Sequence, residues 1–508
     1  MKYLPPELTN LIISHLPPPL APYATVSQQW QHAIESRTFC SVYRISTLLD
    51  DKTSFTKFKS AFGNENPHGP RRRVLIRSLR YRVILPSPSQ KRLHKMQGNR
   101  EAALNNKAYT QAVIDLFNFL STWSEPGRED VPAVVTPNLR LEIYAESLVD
   151  DYDGKPDWDR RFRNRFKEIA FDADMPAALH GGKMPQAPRV VSLEFPDGPG
   201  RRMAPSALGV FAMALPNVQR VEVSYYPVGR RLMNLRREAR LSLADSLLVC
   251  TAELKFLTRL KLYIEDGSPS NHGFYPGNML DVADGERDRF SVALRKISQL
   301  PAMRVLDLDG DPHVLSAAMF EDAEGVDSGS WPSLQELKLC MCLTTPDGRW
   351  CVTGDPECEE PEEEDGYWSD YSAASDTSDF APQRKWDRQD GASPYHQWRT
   401  KVDENTFVPF MMAMIRAMGR MPKLKMLQFY MNDFGLNIEG TYHSKETDCP
   451  PSDSLPNTPS WKFYLEQGFA DWEFSPELKS ALTGTVGEGN VRIQRSFPRL
   501  GPPSSDRF

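Results

Sequence analysis

The sequence has 508 residues, of which 40% are hydrophobic and 25% are charged, and its formal net charge is −6. This length exceeds that of a single small core, and this balance of apolar and charged residues is typical of a globular protein in water. The small negative charge argues against general nucleic-acid binding, which needs a basic surface, so nucleic acid is not an expected partner.

Residues 1–45 predict a compact all-α unit, either a helical hairpin or three short helices. Pro5 and Pro6 fit the first turn of a helix, where a missing backbone donor costs nothing. Apolar residues then recur at every fourth position, which places them on one helical face, and a run of prolines ends the helix. The first apolar stripe is Leu8, Ile12 and Leu16, the proline run is 17–19, and the second stripe is Val26, Trp30 and Ile34.

Residues 46–70 are polar in their second half and are predicted to form a linker. From residue 71 a strand-like phrase recurs, with apolar residues at its first, fourth and sixth positions, often two residues after a proline. Copies lie at Val190–Phe195, Val218–Val223, Leu257–Leu262, Met303–Leu308, Leu334–Leu339 and Leu424–Phe429, and the segments Ile76–Tyr81 and Leu139–Ile143 match the phrase loosely. Helical patterns lie between them at Glu101–Trp123, Pro205–Leu215, Arg287–Leu300 and Glu404–Met421.

The alternation of strands and helices predicts an α/β fold, an irregular solenoid whose strands form a parallel sheet. The spacing of the strand phrases is uneven, which indicates repeats that carry insertions. We expect the repeat-like region to cover residues 71–351 and 401–495, followed by a loose tail at 496–508.

An acidic insertion at 352–400 interrupts this region. Asp355–Asp379 holds eleven Asp and Glu residues and no Lys or Arg. A segment with this many charges cannot bury enough apolar surface to offset the conformational entropy lost on ordering. It is therefore predicted to be disordered. It could capture a basic partner or be phosphorylated, but charge runs are usually solvating linkers.

The N-terminal unit resembles the F-box, whose pattern runs from Leu-Pro-x-Glu-Leu to Val-Ser-x-x-Trp. The matching residues are Leu4, Pro5, Glu7, Leu8, Ile12, Ile13, Leu16, Leu20, Val26, Ser27 and Trp30. The chain departs from the family in its turn, which reads Pro-Pro-Pro, and in Pro22, which falls where the family's second helix begins.

The resemblance implies that the unit binds the Skp adaptor of a cullin-RING ubiquitin ligase. The residues it assigns to adaptor binding are Leu4, Pro5, Leu8, Ile12, Ile13, Leu16, Leu20, Val26 and Trp30. Independently, a unit this short cannot bury its own apolar stripes, so either the rest of the chain or a partner must cover them. The alternative is an ordinary helical hairpin packed on its own domain.

The strand phrases resemble leucine-rich repeats. Leu334, Leu337, Leu339 and Cys342 match Leu-x-x-Leu-x-Leu-x-x-Asn/Cys, and Leu424, Leu427, Phe429 and Asn432 match it with one Phe. In that family the Asn or Cys side chain lies inside the turn and satisfies backbone groups. The alternative is a plain α/β domain with buried strands.

Other chemical signals point to no catalytic, cofactor or metal site. Cys340, Cys342, Cys351 and Cys358 lack the two close pairs of a zinc site. The sequence has neither a nucleophile elbow nor a His-Glu-x-x-His motif, so we do not expect an enzyme. An arginine-rich segment at 71–82 is predicted to be an edge strand that turns its arginines to solvent.

The compartment follows from what the sequence lacks. The N-terminus has no apolar signal core, the longest apolar stretch is too short to span a bilayer, and the cysteines are few and scattered. We therefore expect a cytoplasmic or nuclear protein without a membrane partner. The predicted role is the substrate-recognition subunit of a Skp–cullin–F-box ubiquitin ligase, which presents an unknown protein substrate on its repeat-like surface. The alternative is a leucine-rich-repeat interaction scaffold with no ligase role.

Overall fold

The computed structural model describes most of the chain. The described residues are 4–40, 42–48, 53–88, 97–124, 138–148, 167–172, 183–196, 200–264, 266–281, 287–321, 329–357, 381–433, 436–445, 458–466 and 469–496. They divide into two compact units, Met1–Val223 and Ser224–Phe508. The architecture is mixed α/β with a large, mostly parallel sheet, which confirms the predicted fold class at this level.

The first unit alternates helices and strands after an N-terminal pair of helices. Its helices are α1 Pro6–Ser14, α2 Gln28–Phe39, α3 Phe55–Phe62, α4 Gly69–Leu75, α5 Asn99–Ser121 and α6 Ser206–Ala214. Its strands are β1 Val42–Ser46, β2 Ser78–Leu85, β3 Leu139–Ser147, β4 Val190–Phe195 and β5 Arg220–Tyr225, the last two residues of which belong to the second unit.

The second unit continues the alternation and adds antiparallel pairs. Its helices are α7 Met233–Glu253, α8 Arg289–Ser298, α9 Ala381–Asp390, α10 Glu404–Met418 and α11 Pro476–Val486. Its strands are β6 Arg259–Ile264, β7 Val305–His313, β8 Glu336–Met341, β9 Val352–Gly354, β10 Arg399–Val402, β11 Met426–Asp433, β12 Leu436–His443, β13 Ser460–Glu466 and β14 Val491–Ser496. Among the described helices, none is long and apolar enough to cross a membrane.

In the first unit, strands β1 to β5 lie side by side in chain order and each adjacent pair is parallel. Strand β2 alternates between buried and half-buried residues, as expected of a strand with one face on the core. Leu79 and Tyr81 point into that core, where the Tyr81 hydroxyl donates to the Ala112 carbonyl of α5 at 3.1 Å. The helices therefore cover one face of this part of the sheet.

The opposite face carries cross-strand ion pairs. Arg80 on β2 pairs with Glu142 on β3 at 2.7 Å, and Arg82 pairs with Glu146. Strand β2 lies between β1 and β3, so the prediction that its arginines mark a solvent-exposed edge is wrong. The reason is that each arginine has a glutamate partner on β3, directly opposite for Arg80 and two positions further along the strand for Arg82, which makes an inner position acceptable to the charge.

Residues 46–70, predicted as a linker, contain α3 and the start of α4. Phe55, Phe58 and Phe62 recur at helical spacing and are buried. The Phe58 and Phe62 ring centroids lie 4.8 Å apart, and the Phe58 ring also packs near Trp123 at 6.0 Å. This segment is part of the core of the first unit rather than a connection outside it.

In the second unit, β6, β7, β8 and β11 are parallel neighbours in that order. Strand β12 then pairs antiparallel with both β11 and β13, and β14 pairs parallel with β13. The last part of the sheet thus departs from the uniform parallel arrangement that the repeats predicted.

The predicted insertion at 352–400 has ordered flanks. Residues 358–380, which hold most of its acidic side chains, lie outside the described residues. Before them, β9 pairs antiparallel with β10, and after them α9 leads back to the same place. There the backbone N–H of Arg399 donates to His272 Nδ1 at 2.8 Å, and the Arg399 guanidinium lies 4.1 Å from the Trp398 ring centroid. The tail predicted at 496–508 lies, from residue 497, outside the described residues.

Candidate functional site

The N-terminal hairpin starts and turns where its prolines and capping residue dictate. Pro5 precedes α1 with extended backbone angles, and the Thr9 N–H donates to its carbonyl at 3.0 Å. Residues Ala21–Thr25 form a 3-10 turn that contains Pro22. Helix α2 begins only after Ser27, whose hydroxyl accepts from the Trp30 N–H at 3.2 Å. The second helix therefore begins later than in the family pattern.

Polar contacts at both ends of α1 hold it against α2. The Gln29 side chain donates to the Leu4 carbonyl and to Thr9 Oγ1, the latter at 3.1 Å. At the other end of α1, Arg37 Nη1 donates to the Ile13 carbonyl at 2.6 Å. Thr9 and Ile13 are buried, so the inner side of α1 is filled by this chain itself.

Helix α2 is in turn tied to α4 by a buried carboxylate. Glu35 accepts from Arg72 Nε at 3.0 Å and Nη2 at 2.9 Å, and from Arg71 Nη2 at 3.3 Å. The Glu35 side chain is only 7% exposed, and Gln31 donates to it at 3.0 Å. The hairpin is thus held on the first unit by the contacts between α2 and α4.

Five large aliphatic residues of the hairpin are exposed, and together we call them the hairpin patch. It comprises Leu4 (41% exposed), Leu8 (47%), Leu11 (56%), Ile12 (39%) and Val26 (61%). Positions 4, 8, 11 and 12 follow the three- and four-residue spacing of one helical face. The patch therefore leaves large aliphatic side chains in contact with water, whereas Ile13 fills the interior of the hairpin.

The predicted adaptor-binding residues fall into three groups by burial. Leu4, Pro5, Leu8, Ile12 and Val26 are exposed, whereas Leu16, Leu20 and Trp30 are half-buried. Ile13 is 1% exposed, so it packs inside the hairpin and offers no surface to a partner.

Leu11 belongs to the hairpin patch but was missed by sequence reasoning. The prediction followed a strict four-residue stripe through Leu8 and Ile12, whereas a helical face also includes neighbours three positions apart. Counting the i+3 neighbour of Leu8 would have found it.

The buried cysteines and histidines form no second candidate site. Cys342 Sγ lies 3.2 Å from Ser268 Oγ and 3.1 Å from Thr344 Oγ1, so it makes a side-chain cluster at the end of β8. Burial raises the pKa of the Cys351 thiol, and the neighbouring Cys342 raises it further. Within the described part of the chain no group of three or more His, Cys, Asp or Glu side chains could hold a metal ion, and Cys358 lies outside it.

No protein-family model matches the sequence, and no curated protein matches it either. The functional interpretation therefore depends on the residues of this chain and on the geometry of the hairpin.

Proposed function

We propose that the chain is the substrate-recognition subunit of a Skp–cullin–F-box ubiquitin ligase, with residues 1–45 as its F-box. In this role the hairpin docks on the Skp adaptor, and the remainder of the chain holds a protein substrate close to the ubiquitin-transfer machinery. Tethering acts by raising the local concentration of the substrate, and it needs no catalytic group in this chain.

The observation that carries the proposal is the hairpin patch. Covering a large aliphatic side chain stabilises a complex by ~1.5–3 kcal/mol when the side chain passes from full exposure to full burial. The five patch residues are 39–61% exposed, so about half of that gain remains for a partner at each of them. A partner that covers all five gains about 4–7 kcal/mol before the costs of association.

The attachment of the hairpin to the first unit supports the same role. A docking element has to hold the substrate at a defined position relative to the ligase, and a flexibly attached hairpin would not do so. Glu35, Arg37 and Gln29 hold the two helices to each other and to α4, which leaves the patch on a rigid support.

We propose that the rest of the chain is an irregular leucine-rich-repeat-like solenoid that presents the substrate. The neighbouring parallel strands β2 to β5 in the first unit, and β6 to β8 and β11 in the second, support it, because they follow the order of the strand phrases. Cys342 lies in the turn after β8, as the repeat pattern implies, although its sulfur contacts hydroxyl groups rather than backbone groups.

Adaptor binding is tested by substituting charged residues into the hairpin patch. The full chain is mixed with purified Skp adaptor bound to a cullin amino-terminal domain, and the affinity is measured by biolayer interferometry. We expect Leu8→Asp with Val26→Asp to weaken binding at least about a hundredfold, since each substitution buries a carboxylate against apolar surface.

The matched control is Leu104→Asp with Leu148→Asp. These two leucines are 52% and 51% exposed and lie in the first unit outside the hairpin, so the same charges are introduced without touching the patch. The control should bind like the original chain. Absence of adaptor binding by the original chain would instead favour the scaffold without a ligase role, and equal loss in both variants would refute the patch as the contact.

A further inference from the structure

The second unit contains a half-open cleft of about 1180 Å³. One wall is a face of α8 that includes Arg289, Val292 and Lys296. The segment Thr345–Arg349 after β8 forms the facing wall. The first turns of α10, with Phe410, close a third side. This volume exceeds what a drug-sized molecule needs, and the lining mixes charged and apolar side chains as ligand sites do.

The cleft lies where parallel α/β sheets place their ligands. Met341 at the carboxyl end of β8 and Leu315 just beyond β7 both line it. In such sheets ligands bind outside the carboxyl ends of the strands, where the following helices begin. Here α8 and α10 both start at the cleft, since Asp288 and Asn405 line it, and helix starts carry partial positive charge.

The cleft has an excess of positive charge. Its cationic side chains are Arg287, Arg289, Arg295, Lys296 and Arg349, and its carboxylates are Asp288, Glu321 and Asp347. Each carboxylate already has an arginine partner. Asp288 pairs with Arg240 at 2.9 Å, Glu321 with Arg416 at 2.8 Å, and Asp347 with Arg349 at 2.6 Å. The charges of the three carboxylates are therefore balanced by these arginines, and the other cationic side chains of the cleft are not needed for this.

Two of those cations, Arg287 and Lys296, are exposed at the cleft and have no carboxylate within 4.0 Å among the described residues. Arg289, by contrast, is occupied by Asp245 and Asp281. Arg287 lies just before the start of α8, whereas Lys296 lies in its last turn. Cationic side chains that line one cleft suit a doubly charged anion, because phosphate accepts several charge-assisted hydrogen bonds at once.

Apolar side chains lie next to these cations. Val292 shares the α8 face with Lys296, and Leu315 and Phe410 line the adjacent walls. An inorganic ion would leave this surface in water, whereas a ligand with an apolar or ring-shaped part would cover it.

We propose that this cleft is a binding site for a small organic phosphate, whose phosphoryl group lies between Arg287 and Lys296 and whose carbon skeleton packs on Val292 and Phe410. The site is separate from the hairpin patch in chemistry and in sequence, so it holds whether or not the hairpin binds an adaptor. It gives the second unit a ligand that substrate presentation alone does not require.

The experiment is isothermal titration of the full chain at low salt with inorganic pyrophosphate, with adenosine 5′-monophosphate, and with a phosphoserine peptide. The test variant is Arg287→Glu with Lys296→Glu, and the matched control is Lys255→Glu with Lys423→Glu, two exposed lysines outside the cleft. We expect saturable binding of pyrophosphate and of the nucleotide. The test variant should weaken both about tenfold or more, and the control less than about threefold.

Three results would overturn the proposal. One is the absence of saturable binding of either small phosphate by the original chain. Another is an equal loss in the control variant, which would show a diffuse surface field rather than a site. The third is tighter binding of the phosphoserine peptide than of the nucleotide, which would make the cleft a peptide reader instead.

Discussion

Removing the Glu35 carboxylate should loosen the hairpin from the first unit by an amount that can be worked out from its contacts. In Glu35→Ala the two hydrogen bonds from Arg72 are lost, and because both end on the same carboxylate oxygen we count them as one charge-assisted interaction of ~1.5–3 kcal/mol. Arg71 lies 3.3 Å away and its side chain is 40% exposed, so screening by water limits its share to ~0–1 kcal/mol. We expect a loss of about 2–3 kcal/mol in the stability of the α2–α4 contact.

Hydrogen–deuterium exchange of the α1 and α2 amides measures this local stability directly. A loss of about 2–3 kcal/mol corresponds to exchange about 30- to 150-fold faster in those helices. Amides of β13, in the second unit, provide the internal reference. The matched variant is Arg71→Ala, which should accelerate exchange less than about fivefold because its pair is screened. The reasoning is refuted if Glu35→Ala changes exchange by less than about threefold, or if Arg71→Ala matches it.

Three further perturbations test the cores. Phe62→Ala should destabilise the first unit by about 3–5 kcal/mol in urea unfolding, since the ring is fully buried, and a loss below about 1 kcal/mol would contradict its packing. Trp331→Phe removes the 2.7 Å bond from Nε1 to Ser298 Oγ and should cost about 1–2 kcal/mol; unchanged urea unfolding would speak against that bond. The pKa of His272 is lowered from 6.5 to about 4, mainly by burial and also by the nearby charge of Arg399. As the pH falls, the imidazole is therefore protonated in the unfolded chain before it is protonated in the folded chain, and the folded state loses stability. Stability should be full above pH 6.5 and fall by roughly 1–3 kcal/mol toward pH 4, and His272→Gln should flatten that slope.

The parallel strands were predictable because their apolar residues occur at fixed spacing in short phrases. Strand β4 has the bounds of the phrase Val190–Phe195, and α10 begins at the predicted Glu404. Buried strands of parallel sheets are apolar runs, and such runs stand out in any sequence.

Elements whose buried positions are polar escaped prediction. Helix α7 places Arg236 in the interior, where it donates to the Val228 carbonyl at 2.9 Å and pairs with Asp266. An arginine at an inward position breaks the apolar stripe, and the partner that makes it acceptable lies 30 residues away in sequence. Strand β2 was predicted, but its inner position in the sheet was not, because each arginine on one face has its glutamate on another strand.

The sequence predicted which residues form the candidate site better than it predicted which of them are exposed to a partner. Periodicity indicated that Leu8, Ile12 and Val26 share an apolar surface, and all three are exposed. It could not separate Ile13 from Ile12, because adjacent residues of a helix differ in burial only once the partner helix is known. The arginine and glutamine that close the hairpin over Ile13 and Leu4 had no sequence signature.

The short ladder between β9 and β10 makes the acidic segment a natural site for grafting. Gly354 and Arg399 are partners across the ladder, so the two ends of the segment between them, which includes α9, are held together. When the stems are already held together, lengthening the connection between them costs only ~0.6 kcal/mol per doubling. A fluorescent reporter domain spliced in after residue 357 should therefore be carried without disturbing β8 or α10, and it would mark the protein while leaving both termini free.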